Sequence, residues 1–192
     1  MKKFLSVILA LTMVLSLAAC GGNTEAPEAE VPAQPAPASA LEVLTNIWND
    51  YADEEKFPVI GGNIENYVDG APGEYSMDYA ENMTYNLLIP ADQIANVTEV
   101  ASMIHGMNAN SFTGAVYKLA GGVSAADFGA AMKDAVMNNQ WMCGFPETLL
   151  IRNFGDTYVL VAFGVNDAMN PFIAHMDAVY PGFETIVNEP IG

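Results

Sequence analysis

The chain has 192 residues, with 23 Asp and Glu against six Lys and Arg, a formal net charge of −17. So anionic a chain repels nucleic acid and anionic lipid head groups, which excludes nucleic-acid binding as its function class. Two cysteines and two histidines leave little material for a disulfide framework or a zinc cluster.

Met1, Lys2 and Lys3 make a basic start, followed by an apolar run from Phe4 to Ala19. A basic head, an apolar stretch and small residues at its end are the anatomy of a secretory signal. The run is shorter than the roughly 20 residues a helix needs to span a bilayer, so residues 1–19 are expected to be a cleaved signal peptide. Its end, Leu17-Ala18-Ala19-Cys20, resembles the lipobox of bacterial lipoproteins. The resemblance implies that the Cys20 thiol receives a diacylglyceryl group, that the leader is cut just before it, and that the protein is held at the outer face of the cell membrane. Two acyl chains give stable anchoring where one does not. Lys2 and Lys3 lie in the leader, so four cations face all 23 carboxylates from Cys20 onward, a formal charge of −19.

Residues 20–39 are rich in Pro, Ala and Glu and almost free of large apolar side chains. Such a segment cannot offset its ordering entropy by burial, and its prolines favour extended polyproline II. It reads as a tether, with residues 40–192 as one globular domain, long enough to bury a core without disulfides.

Within the domain, Leu41, Leu44, Ile47, Trp48 and Tyr51 fall at helical spacing, with Ser39 as cap, and predict a helix from Ala40 to about Glu55. Residues 63–81 read as loop. Met83–Ile89 predicts a strand ended by Pro90, and Ala91 to about Met103 a helix carrying Ile94, Val97, Val100 and Ala101. Ser111–Ala120 predicts a strand, and Ser124 caps a helix from Ala125 to about Asn139. Thr148–Phe154 and Thr157–Phe163 flank Gly155-Asp156 and predict a hairpin. A last helix is expected from Asn166 to Val179, with Pro171 near its first turn, then a short strand around Phe183–Val187. The expected fold is α+β: one mixed, mostly antiparallel sheet of about four strands with helices packed on one face.

Motifs for catalysis are sparse. No phosphate-cradling glycine loop, zinc spacing, G-x-S-x-G elbow or H-E-x-x-H is present, and a spatially assembled Ser-His-Asp triad has no local pointer. Met103, His105 and Met107, with His175 and Met176, have the ligand types that suit Cu(I), although the same methionines lie where core residues are expected. Asp69, Glu74, Asp78 and Glu81 offer oxygen ligands without the spacing of a calcium loop. With Cys20 expected to carry lipid, Cys143 has no partner within the chain and is expected to be a small buried hydrophobe. No catalytic, cofactor-binding or metal residue is assigned, and no cofactor is expected.

The lipobox at Cys20, the Pro-rich tether, Tyr85-Asn-Leu-Leu-Ile-Pro90 leading into a helix, and the hairpin carrying Tyr158-Val-Leu-Val161 together resemble a family of small uncharacterised lipoproteins of Gram-positive anaerobes, some labelled bacteriocin transport accessory proteins. The resemblance spans Ala40 to Pro181. It implies no established activity and no functional residues. The expected role is a membrane-anchored extracytoplasmic binding or accessory module with a protein partner at the cell surface. A small solute- or ion-binding lipoprotein is the second reading and a cell-surface enzyme the third.

Overall fold

The computed structural model describes residues 36–192. The signal peptide, the lipobox Leu17–Cys20 and the tether as far as residue 35 lie outside the described residues. Helix α1 spans Ala40–Asp50, and Ser39 caps it by accepting from the Glu42 N–H at 3.0 Å. Its apolar stripe of Val43, Leu44, Ile47 and Trp48 is buried as the periodicity predicts, and it stops five residues short of the expected end.

Among the described residues, eight strands form a single antiparallel sheet. They are β1 (Val59–Gly61), β2 (Val68–Asp69), β3 (Gly73–Tyr75), β4 (Val97–His105), β5 (Phe112–Leu119), β6 (Thr148–Phe154), β7 (Tyr158–Gly164) and β8 (Glu184–Pro190). The order is β2-β1-β4-β5-β7-β6-β8, and β3 pairs with the first half of the β4 edge whose second half pairs with β1. The hairpin of β6 and β7 turns through Gly155 and Asp156, where Gly155 takes a φ of 52°.

The mixed α+β class therefore holds, but the sheet has eight strands where about four are expected, and helices cover both of its faces instead of one. Helix α4 (Asn166–Val179) lies beside α1, and the pair packs on Met103, Phe112, Val116, Leu150, Leu160 and Ala162. Helix α3 (Ala125–Met137) packs on the opposite face with Ala115, Tyr117, Ile151, Val159 and Val161. Strand residues alternate between the two clusters, so β7 is buried at all seven positions. A strand covered on both sides carries consecutive apolar residues, and its sequence loses the alternation that marks a half-exposed strand.

That ambiguity explains two corrections. The helix expected over Ala91–Met103 is a 3₁₀ segment, Ala91–Asn96, running into β4. Val97, Val100, Ala101 and Ile104 sit at helical spacing by coincidence; Val100 to Met103 are four consecutive buried positions of a central strand. The strand expected over Met83–Ile89 is the short helix α2 (Met83–Asn86) and the turn after it. Met83, Leu87 and Ile89 are all buried there, in the cluster on the α3 face. Pro171 is the sixth residue of α4, a turn deeper than expected. No described helix is long and apolar enough to cross a membrane.

Candidate functional site

Two adjoining cavities open between α2 and α3. The outer one, about 740 Å³, lies between Thr84, Tyr85 and residues 88–92 on one wall and Ala131, Asp134, Ala135 and Asn139 of α3 and its C-terminal end on the other. The inner one, about 280 Å³, shares Thr84, Tyr85, Leu88 and Asn139 with it and ends on Asn110, Thr113, Trp141 and Phe163.

Buried neighbours fix the first wall. Met83, Leu87 and Ile89 are each at most 1% exposed, and Asn86 donates from Nδ2 to the Tyr75 hydroxyl at 3.0 Å. Burial pushes the Tyr75 phenol up, and the Asn86 hydrogen bond opposes that shift. With its neighbours locked inward, Leu88 takes a φ of 57° and lines both cavities. Tyr85 is 83% exposed at the mouth.

The second wall continues from α3 into the loop 138–147. Asn108 donates to the Cys143 carbonyl at 2.8 Å, and Asn110 donates to the carbonyls of Met142 at 2.8 Å and Gly144 at 3.0 Å. Two side-chain amides thus hold three successive carbonyls, and Cys143 takes a φ of 62° between them. Cys143 is exposed, contrary to the buried position expected of it; the loop is tied by its backbone, and its side chains are left outside. Trp141 packs on Phe163 with ring centroids 5.5 Å apart, and its indole Nε1 is buried with no hydrogen-bond partner. Met142 and Phe145 stand exposed beside it, as does Met107 on the neighbouring loop.

The candidate metal ligands do not converge. Met103 and Met176 are fully buried in the α1/α4 cluster, while Met107 is 84% exposed. His105 accepts at Nδ1 from the backbone N–H groups of Met107 (3.2 Å) and Asn108 (3.4 Å). His175 instead joins helices: its Nδ1 lies 2.8 Å from Asp50, its Nε2 3.7 Å from Glu55, and its ring stacks on Tyr51. Among the described residues no group of three His, Cys, Asp or Glu is placed to hold a metal ion. That includes Asp69, Glu74, Asp78 and Glu81, which are divided between β2, β3 and the 3₁₀ segment Met77–Asn82.

A third cavity of about 280 Å³ lies at the start of α4 and is lined by Glu55, Phe57, His105, Ser111 and Asp167. It brings a serine, a histidine and carboxylates together without assembling a hydrolytic triad. The Nδ1 that an orienting carboxylate would need is occupied by two backbone donors.

Composition had pointed to none of the groove residues. Tyr85 and Leu88 fall in a segment expected as a strand, and nothing local marks Asn108 and Asn110 as holding a loop more than 30 residues away. No family model, no curated protein and no solved structure matches this chain.

Proposed function

We propose that the protein is an extracytoplasmic lipoprotein, anchored to the outer face of the membrane through Cys20, whose folded domain is a non-enzymatic binding or accessory module that engages another component of the cell surface. The groove between α2 and α3 is its binding face. One observation carries this reading. Leu88 and Cys143 are the two non-glycine residues with positive φ among the described residues; Leu88 lines both cavities, and Cys143 sits between the Met142 and Gly144 carbonyls that Asn110, a lining residue of the inner cavity, holds. Each such residue costs about 1–3 kcal/mol, a strain that accumulates at ligand-contacting sites.

The placement suits a tethered binder. The chain enters the domain beside Glu99, whose carboxylate accepts from the Ala40 N–H at 2.6 Å, near the start of β4. The inner cavity lies by the other end of that strand, where Thr113 pairs with Ile104, about 20 Å along it at roughly 3.3 Å per residue. The groove is open, with Tyr85 exposed at its mouth.

The test is made on the protein in its host. Intact-mass analysis should find a chain beginning at Cys20 and carrying a diacylglyceryl group. A photo-crosslinking benzoylphenylalanine in place of Tyr85 should give a covalent adduct on living cells, and the same group in place of Asp53 should give none. An unacylated chain overturns the anchor, and equal yields at the two positions overturn the binding face.

A further inference from the structure

We infer that the groove binds a neutral oligosaccharide; this rests on the binding-module reading above and names its ligand class. The lining alternates aromatic or aliphatic surface with hydrogen-bonding groups. Tyr85 and Leu88 stand among Thr84, Asp92, Asp134 and Asn139 in the outer cavity, and Trp141 among Asn110, Thr113 and Asn139 in the inner one. A sugar ring has the matching chemistry, with an apolar C–H face that stacks on an aromatic ring and a rim of hydroxyls that both donate and accept. Carboxylates accept from hydroxyls, and side-chain amides both donate and accept. The outer cavity also falls within the roughly 300–1,000 Å³ of small-ligand sites.

Other occupants fit less well. Asp92 and Asp134 on the lining and a chain charge of −17 oppose anionic polymers. An amphipathic helix needs a continuous apolar channel, which Thr84, Asp92, Asp134 and Asn139 interrupt. An added β-strand needs a free strand edge, and both walls are built from helices and turns. A cationic peptide would find carboxylates only in the outer cavity, since the inner one is lined by neutral groups.

Fluorescence reads the site directly. The chain has two tryptophans, and Trp48 is buried in the cluster on the opposite face of the sheet. The full mature protein in detergent is titrated with the tetrasaccharides of β-1,4-N-acetylglucosamine, β-1,4-glucose, α-1,4-glucose and β-1,4-mannose, with tetralysine and tetraglutamate as charged controls. The expected result is a saturable change in emission with at least one tetrasaccharide at a Kd of about 1 mM or tighter. Trp141→Phe should abolish the signal, and Tyr85→Ala should weaken binding tenfold or more with the melting temperature unchanged. Four silent tetrasaccharides, or binding indifferent to Tyr85→Ala, overturn the proposal. A Tyr85-dependent response to tetralysine alone removes the saccharide and keeps the binding face. Loss of the position-85 adduct on cells removes both.

Discussion

Gly61 of β1 and Gly73 of β3 lie so close that a Cβ on either would strike the backbone of the other strand: at Gly61 it meets the Gly73 nitrogen, and at Gly73 it meets the Gly61 carbonyl carbon at 2.7 Å. The two strands share one edge of β4 end to end, Gly61 opposite Met103 and Gly73 opposite Ser102, and only residues without side chains let them meet there. Ser102 closes the junction by donating to the Gly62 carbonyl at 3.0 Å. Gly61→Ala should therefore destabilise the domain by about 1–3 kcal/mol, as overpacking does. Gly121→Ala, with open space around it, should stay within about 0.5 kcal/mol. Urea unfolding of the two variants decides; equal midpoints would mean that the junction is not tight.

The same junction shows what the sequence could and could not reveal. Gly61-Gly62 has a local meaning, because a glycine pair disfavours helix. Its partnership with Gly73 is a tertiary fact with no local signature. The caps Ser39 and Ser124, the hairpin at Gly155-Asp156 and helices α3 and α4 were legible because each rests on neighbours in sequence. Strand β4 was not, because burial on both faces erases its alternation and leaves spacing that suits a helix equally well. The groove was illegible for a related reason: its strained residues are fixed by contacts between Asn86 and Tyr75 and between Asn110 and Met142, pairs that no spacing rule connects.

Arg152 is a cation on the α1/α4 face of the sheet, 9% exposed, and it pairs through Nη1 with Asp177 of α4 while its Nε has no partner. Removing the acid leaves a buried charge unpaired; removing the base takes the desolvation cost away with it. Asp177 is half exposed, so water screens part of the effect. Asp177→Ala should cost about 1–3 kcal/mol, and Arg152→Met clearly less. Adding Asp177→Ala to Arg152→Met should then change little. Denaturant midpoints for the three variants test this, and a larger loss in Arg152→Met than in Asp177→Ala would refute it.

Tyr117 is fully buried on the α3 face with no partner for its hydroxyl. Burial, with a smaller contribution from Tyr75, raises its pKa far above the ordinary phenol value of 10.0. The phenol therefore stays protonated in the folded chain at pH values where the unfolded chain releases the proton. Its contribution to stability is complete below about pH 10 and declines above it, by up to about 1.4 kcal/mol per pH unit. Tyr51, raised chiefly by burial and further by Glu55, adds a second contribution of the same sign. Tyr117→Phe deletes an unpaired polar group, so it should leave stability at pH 7 unchanged or slightly higher. It should also make the loss of stability above pH 10 less steep. Thermal unfolding of both proteins between pH 8 and 11 is the measurement, and parallel curves would contradict the assignment.

Leu87 and Leu88 are adjacent and identical, yet the structure gives them opposite duties. Leu87 is 1% exposed in the core, and Leu88 carries positive φ at the groove. Leu87→Ala should cost about 2–5 kcal/mol through lost burial and the cavity left behind. Leu88→Gly removes partly buried surface but also releases a left-handed backbone costing about 1–2 kcal/mol in a residue with a Cβ, so its net effect on stability should fall within about 1 kcal/mol of zero. Binding should respond in the reverse order, because Leu88 lines both cavities and Leu87 lines neither. Guanidinium unfolding together with the Trp141 titration separates the two residues. If Leu88→Gly cost as much stability as Leu87→Ala, Leu88 would be a core residue in an awkward conformation, and the strain on that wall would have no bearing on a ligand.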